Sequence, residues 1–565
     1  MILRIDLNNR SFEKEEYKHF IGGRTLCSRL ITEQVKPDIH PLSEKNVLVI
    51  CPASFAGSMV PNSNRLSIGA KSPLTGGIKE SNIGGRVPDL VARNGYRAIT
   101  IIGSLEELSV IVIGKEDLKI EETPELKGLM NYELFERLYE RYGKNIGILG
   151  VGPAGENRLM NSTISGNDLE GHASRHAGRG GMGAVMGSKK IKAIVFREPY
   201  TRMFMPEEDK RKEFISTCRE FAQKTIKNRL NMTLFSNLSL VSYINRLEAL
   251  PIRNYRESSS EEALALSGEN IKEVLESRGG RMGHACSKNC VVRCSNVIHD
   301  KDGRYVTSGF EYESTVMLGS NLGLFNFDEV APLERFCDDF GLDTIETGAT
   351  FAVAAEAGLA EFGDPNSFMA LTEEIRTMTP LGRILTSGAG LFGKVFGVTR
   401  VPVVKNQSMA AYDPRSLKGT GTTYATSPMG ADHTAGNVFP AVSRVDVRGS
   451  VNQVEESLYR QIMYTALDMF ICIYVGATEE NLDTIAKLVN LFYREEITKE
   501  DIFEISKETI MLETRFNEAC GLSSKTNVMP EFFTNEKESR GDVYDIPPSE
   551  LQKASEILNH ITIRS

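Results

Sequence analysis

The hydrophobic pattern of the chain changes character once, near Pro206, and that change restricts the fold to a β-rich part followed by helices. Before it, the apolar runs are strand-length: Asn46-Val-Leu-Val-Ile50, Ala98-Ile-Thr-Ile-Ile102, Val110-Ile-Val-Ile113, Ile146-Gly-Ile-Leu149 and Ile191-Lys-Ala-Ile-Val-Phe196. Gly, Pro and Asn separate them, as turns require, and a single helical pattern, about Asn131 to Arg141, interrupts them. Glycine pairs stand at Gly22-Gly23, Gly76-Gly77, Gly84-Gly85 and Gly180-Gly181. After Pro206 the apolar residues recur at helical spacing over 207–280, about 325–395 and 450–520. At 565 residues the chain exceeds one ordinary core. The expected class is α+β: a β-rich, sandwich- or barrel-like domain over 1–205, then two mostly helical domains over 206–395 and 396–565. The polar, Pro-containing stretch 534–550 reads as a surface loop.

The net charge of −9 gives no electrostatic support to nucleic-acid binding. No apolar run reaches the roughly 18 residues of a membrane span, and the N-terminus lacks a signal-peptide pattern. Nine cysteines, with three crowded together, do not resemble a secreted disulfide framework. A cytoplasmic location is expected, where clustered cysteines usually mean metal.

The crowded segment is His284-Ala-Cys286-Ser-Lys-Asn-Cys290-Val-Val-Arg-Cys294. Thiolates are the soft ligands that iron–sulfur clusters and zinc demand. Three so close can wrap one face of a cubane, with a distant fourth closing it. A chance group of buried thiols remains an alternative, as does zinc, although paired CxxC knuckles are missing. A radical S-adenosylmethionine site fits poorly, because both gaps are three residues and the trio lies mid-chain. His284 reads as a surface histidine with an outside role as ligand. Gly150-Val-Gly152-Pro-Ala-Gly155 satisfies GxGxxG after a strand. The following Glu156-Asn-Arg-Leu-Met-Asn-Ser-Thr is a poor helix, and Asp168 sits in a loop. A packing turn is the preferred reading.

Several further motifs occur in a fixed order. Ile5-Asp-Leu precedes Phe20-Ile-Gly-Gly-Arg24; then come Pro61-Asn-Ser-Asn-Arg65, Lys71-Ser-Pro-Leu-Thr-Gly76 and Ser81-Asn82-Ile-Gly84-Gly85-Arg86. Gly152-Pro-Ala-Gly-Glu-Asn157 and Ala177-Gly-Arg179-Gly180-Gly-Met-Gly-Ala-Val-Met-Gly187 follow, then Phe310-Glu-Tyr-Glu313, Asp338-Asp-Phe-Gly341-Leu342-Asp343 and Tyr424-Ala-Thr-Ser-Pro-Met-Gly-Ala-Asp432-His433. Taken together, from residue 5 to about 475, they resemble the aldehyde ferredoxin oxidoreductase family of tungsten-pterin enzymes.

The resemblance implies a tungsten or molybdenum bis-pyranopterin at the junction of the domains, with magnesium bridging the pterins as a further candidate. It also implies a 4Fe-4S cluster on Cys286, Cys290, Cys294 and Cys472. Arg65, Asn82, Gly84, Arg179 and Gly180 would meet the pterins, since glycine turns expose backbone N–H groups to phosphate and arginines add charge-assisted contacts. Asp338, Leu342 and Asp343 form the first Asp-x-x-Gly-Leu-Asp/Cys copy. The second copy is shortened to Asp468-Met-Phe-Ile-Cys472, without glycine, and the trio is CxxxCxxxC where CxxCxxxC is the better-known form. A bridging iron held by Glu-x-x-His is not expected, because no histidine lies between 300 and 432.

The implied reaction converts an aldehyde and water to a carboxylic acid, with electrons leaving singly through the cluster to ferredoxin or an iron–sulfur subunit. Glu313 and His433 are the expected catalytic groups beside the metal. Alternatives within the fold are a catalytic subunit of a larger complex, such as one reducing an aromatic-ring thioester, and a cluster-only electron-transfer subunit. A homo-oligomer or larger assembly is compatible with either.

Overall fold

The computed structural model describes residues 1–115, 117–199, 201 and 203–564. Two six-stranded sheets form the N-terminal part. The first comprises β1 (Ile2–Asp6), β2 (Ser11–Glu15), β3 (Leu48–Pro52), β4 (Leu66–Lys71), β5 (Ile78–Ile83) and β6 (Ala98–Ile102), in the order β2-β1-β6-β3-β4-β5. The second comprises β7 (Ser109–Ile113), β8 (Leu118–Glu122), β9 (Ile146–Gly150), β10 (Ile164–Gly166), β11 (Arg175–Ala177) and β12 (Ile191–Arg197), in the order β11-β10-β9-β12-β7-β8. Only β1 with β6 and β7 with β12 pair in parallel within these sheets.

The period-2 alternation of a strand explains why the apolar runs are continuous. In β7, Ile111 and Ile113 enter the core between the sheets, where Ile5, Ile50, Ile68 and Leu149 meet them. Val110 and Val112 point the other way, onto Leu134, Phe135 and Leu138 of the helix Asn131–Tyr142. Val47, Val49 and Cys51 similarly pack beneath the helix Gly23–Gln34. The result is helix, sheet, sheet, helix, with the central strands buried on both sides and the edge strands β2 and β8 largely exposed.

Gly23–Gln34 and the helix Val87–Arg93 depart from the single-helix reading of this part. Gly23–Gln34 is buried from Gly23 through Ser28, Arg24 included, so it shows no polar stripe by which to recognise it. The GxGxxG segment is a packing turn. Gly152 abuts the end of the helix Phe327–Phe340, where an added Cβ would lie 2.5 Å from the Phe340 carbonyl oxygen, and the helix after it spans only Pro153–Glu156.

Beyond Pro206 the chain is helical except for β13 (Arg281–His284), β14 (Ser295–His299) and β15 (Tyr305–Thr307), whose antiparallel pairing was not anticipated, and the short hairpin β16 (Val403–Val404) and β17 (Gln407–Ser408). The stretch 534–550 is not simply a surface loop. It buries Glu538, Tyr544 and Ile546, and the Tyr544 hydroxyl meets that of Thr422 at 2.9 Å. Among the described residues no helix is long and apolar enough to cross a membrane.

Candidate active site

The cysteine trio occupies the connection between β13 and β14. Asn289 and Arg293 take left-handed conformations (φ 61° and 52°), which curl the backbone around Cys290. The Arg293 amide points at the Cys290 sulfur at 3.4 Å. Asn62, itself left-handed, ties this loop to the distant fourth cysteine. Its amide donates to the Asn289 carbonyl at 3.0 Å, its Oδ1 accepts from the Val291 amide at 3.2 Å, and its carbonyl accepts from the Cys472 amide at 2.9 Å. Asn64 donates to the Lys288 carbonyl at 3.0 Å. The Pro61-to-Arg65 motif is therefore the strap of the cysteine loop, a role that its spacing did not reveal.

Arg65 precedes β4 and stands opposite the end of β5. Its Nε donates to Asn82 Oδ1 at 2.6 Å, and Nη1 lies 3.9 Å from Cys286 Sγ. Gly84 makes room for it, since a Cβ there would lie 2.8 Å from Nη1. A hydrogen bond from Cys290, together with Arg65 and Arg175, holds the Cys286 thiol well below its ordinary range. Burial pushes Cys290's neighbour Cys294 up, and Cys472 up to about 11.

These groups border a cavity of about 280 Å³ whose walls come from all three parts of the chain. Of the residues nominated from sequence, Arg65, Asn82, Gly84, Arg179, Cys286, Glu313, Asp338, Leu342, Asp343, His433, Asp468 and Cys472 line it, together with Cys294. Cys290 lies just behind, packed with Cys294, Val292 and Met232. Gly180 is off the lining. Its φ of 81° and the Lys79 side chain, 2.4 Å from where a Cβ would be, account for the glycine. The Arg179 guanidinium is already engaged, by Asp343 at 3.2 Å, the Ala431 carbonyl at 2.6 Å and the Ser408 carbonyl at 2.7 Å. It braces the cavity wall and has few donors left for a phosphate. His284 is half-buried, not on the surface, and burial with Arg175 pushes it down.

The two Asp motifs reach the cavity from separate helices. Gly341 (φ 88°) ends Phe327–Phe340 in a left-handed cap, as a glycine there should. Asp343 then caps Thr344–Glu356 by accepting from the Ile345 and Glu346 amides at 2.9 and 3.3 Å. Asp338 accepts from Thr307 Oγ1 at 2.8 Å. In the shortened copy, Gln453–Asp468 ends at Asp468 and two successive amides, of Phe470 and Ile471, return to the Leu467 carbonyl. That tight exit delivers both Asp468 and Cys472 to the cavity without a glycine.

Glu313 and His433 face each other across the space. Glu313 Oε2 accepts from the Ala411 amide at 2.8 Å, and Oε1 stands 3.8 Å from His433 Nε2. Asp432 caps the turn that carries His433 and pairs with buried Lys79. Burial opposes the Asp432 charge, but Lys79 and Arg179 hold the carboxyl well below the usual range.

Residues 2–198 match the family model described as "Aldehyde ferredoxin oxidoreductase, N-terminal domain", and residues 216–556 match "Aldehyde ferredoxin oxidoreductase, domains 2 & 3". The chain belongs to the aldehyde ferredoxin oxidoreductase family. It is 30% identical over 575 residues to the tungsten-containing aldehyde ferredoxin oxidoreductase of Thermococcus kodakarensis, covering 95% of this chain and 92% of that one. The enzyme of the same description from Pyrococcus furiosus is 29% identical, with the same coverage. An aliphatic sulfonate oxidoreductase WOR-like subunit of P. furiosus is 27% identical over 81% of this chain and 77% of its own length. The active site complex BamBC of benzoyl coenzyme A reductase, bound to 1,5 dienoyl-CoA, superposes with a TM-score of 0.82 over 99% of this chain and 93% of that one. At 17% identity it shows the shared fold. The chain is thus an oxidoreductase of a family that uses tungsten-pterin and iron–sulfur cofactors.

The cavity fits such a group. Glu80 Oε1, Glu313 Oε1, Glu334 Oε2 and His433 Nδ1 are buried and make no hydrogen bond within the protein, an arrangement that calls for a polar ligand rich in N–H groups. Among the described residues no three His, Cys, Asp or Glu side chains converge on a point, as a single ion requires. A cubane is a larger body whose ligands stand apart around it. Sequence reasoning missed Glu80 and Glu334, yet both carried a signal. Glu80 is two residues before Asn82 on the same face of β5, and Glu334 is one turn before Asp338 on the same helix face.

Proposed function

We propose that the chain oxidises an aldehyde to a carboxylic acid, RCHO + H2O giving RCOOH, two protons and two electrons, and passes the electrons singly to ferredoxin. The observation that carries this is the placement of Glu313 and His433, 3.8 Å apart and each with a buried polar atom that makes no hydrogen bond, in the cavity that Cys286, Cys294 and Cys472 also line. Arg65, Asn82 and Gly84 would meet one pterin beside the cluster. Asp338, Leu342 and Asp343 would hold one pterin edge, and Asp468, with Glu80 beside it, the other. Cys286, Cys290, Cys294 and Cys472 would ligate a 4Fe-4S cluster. When bound, a tungsten (or molybdenum) bis-pyranopterin would supply the two-electron acceptor.

The protein's own contribution is proton management. Glu313, fixed by the Ala411 amide through one oxygen, has the other free to take the proton of the attacking water. His433, held by its capped turn, hydrogen-bonds the substrate carbonyl oxygen and relays a proton. A cluster-only subunit is disfavoured by Asp468, which lines the cavity despite its shortened motif.

The test is elemental analysis of anaerobically purified protein, with a panel of aldehydes as reductants and a viologen dye as acceptor. Tungsten or molybdenum with iron, and dye reduction by at least one aldehyde, are expected. Glu313→Gln and His433→Gln should each lower kcat by roughly 10²- to 10⁴-fold with metal content unchanged. Iron without tungsten, molybdenum or pterin would overturn the reading.

A further inference from the structure

The outer surface over the cysteine trio joins two cation-rich stretches, bordered on one side by the helix Gly268–Ser277 with its exposed Glu269, Glu273 and Glu276. It is built from residues 221–235 and 279–294. The first stretch holds Lys224, Lys227 and Arg229, the second Arg281, Lys288 and Arg293, and neither contains an Asp or Glu. The whole chain carries a net charge of −9. The two stretches are physically joined. Thr233 Oγ1 donates to the Val292 carbonyl at 3.2 Å, the Asn237 amide donates to the Cys294 carbonyl at 3.0 Å, and Met232 packs on Cys290 and Cys294. The short helix Leu230–Phe235 therefore lies directly on the trio, and Leu230 and Leu234 point outward, 54% and 42% exposed, beside Ile226 at 41%.

Three of the six cations are compensated: Lys224 by Glu480, Arg281 by Glu170 and Lys288 by Asp89. Lys227, Arg229 and Arg293 have no carboxylate partner among the described residues. Arg229 instead donates to the Val475 carbonyl beside Cys472, while Lys227 and Arg293 are exposed. The face thus has an apolar centre and, on the side away from the helix Gly268–Ser277, a positive rim, and it stands over the groups that would hold the cluster.

We propose that this face is the docking site of a small, acidic, one-electron carrier protein. The proposal rests on the redox reading above, since the carrier exchanges its electron with the cluster on the four cysteines. Charge complementarity decides the partner. An acidic carrier is repelled by most of an acidic molecule and attracted where the positive charge is uncompensated, which orients its approach. The apolar residues Ile226, Leu230 and Leu234 supply the dry contact that brings it close. Leu230 and Leu234 are solvent-exposed, so the interface forms and dissociates without unfolding the site. The step is one electron from the reduced carrier to the oxidised cluster, or the reverse during turnover.

The experiment is stopped-flow reduction of the oxidised cluster in anaerobically purified holoenzyme by a reduced acidic 4Fe-4S ferredoxin, with no aldehyde present. The second-order rate should fall as salt rises. K227E/R293E should lower it at low salt on the order of tenfold, and K227Q/R293Q by less. Reduction by the methyl viologen radical, a small cation, should not slow in either variant. Equal ferredoxin rates in all three proteins, or no salt dependence, would overturn the docking site. A panel in which no aldehyde reduces the enzyme, alongside a preserved charge effect on ferredoxin, would sink the substrate reading and leave the docking site standing.

Discussion

Asp168 shows how much a single buried charge organises. Its Oδ1 accepts from the amides of Glu170, Gly171 and His172 at 2.8, 2.8 and 2.9 Å, and its Oδ2 from Ser308 Oγ at 2.7 Å. Together these fix the loop from which Arg175 and His176 enter the cavity wall. Burial favours the neutral acid, but hydrogen bonds from His172 and Ser308 and the charge of Arg175 outweigh it and hold the carboxyl well below its ordinary range. A folded-state pKa below the unfolded value of about 3.9 means the stabilisation is complete above that pH. It is lost as pH falls through the folded value. Asp168→Asn should therefore unfold more easily than the wild type by about 2 kcal/mol near neutrality, and the gap should narrow progressively as pH falls below about 4. Thermal unfolding of both proteins across that range checks it. The sequence offered Asp168 only as the acid of a nucleotide motif that the fold does not build, because its partners are backbone amides and a serine 140 positions away.

At the scale of elements, the N-terminal sheets and the C-terminal helices meet through several buried ion pairs, of which Arg24 with Glu513 joins two long helices. Arg24, on Gly23–Gln34, donates through Nε and Nη2 to Glu513 on Lys499–Ala519 at 3.0 and 2.7 Å, and Ser28 adds a third bond at 2.7 Å. Both side chains are almost completely buried, at 3% and 0% exposure. Such a pair gains little over an apolar one, yet breaking it leaves a charge stranded. Arg24→Met should destabilise by about 3–5 kcal/mol, and adding Glu513→Gln should recover most of that loss, as measured by denaturant unfolding. Five strands of the first part, β3, β6, β7, β9 and β12, were legible because they are apolar runs buried on both faces and flanked by turn residues. The helix that carries Arg24 was not, because a helix enclosed on most sides loses the polar stripe that periodicity detects. The three strands β13 to β15 were equally hidden: they are short, and the middle of their run is cysteine, glycine and charge.

At the scale of the whole molecule, the cavity exists only because three remote stretches close around it. β4 and β5 bring Arg65, Glu80 and Asn82, the helix pair flanking Gly341 brings Asp338 and Asp343, and the exit of Gln453–Asp468 brings Asp468 and Cys472. A cluster on four cysteines would pin the β13–β14 loop to that last helix, and binding to the folded state alone stabilises it. Cys472→Ser should lower the iron content and the melting temperature of the anaerobic protein together, while a retained cluster with unchanged spectrum would remove Cys472 from the ligand set. The cysteine trio could be read from the chain, because it is a short run of thiols whose chemistry is local; the Asp-x-x-Gly-Leu-Asp copy, Glu313 and His433 were nominated by the family resemblance, and the structure brings them to one cavity. Three things needed the tertiary structure. They are the use of Pro61–Arg65 as the strap of the cysteine loop, the engagement of Arg179 by Asp343 and two carbonyls, and the recruitment of Glu80 and Glu334 as unpartnered acids. Sequence states which groups a segment can offer, but whether a donor is already satisfied or still free depends on what packs against it from elsewhere in the chain.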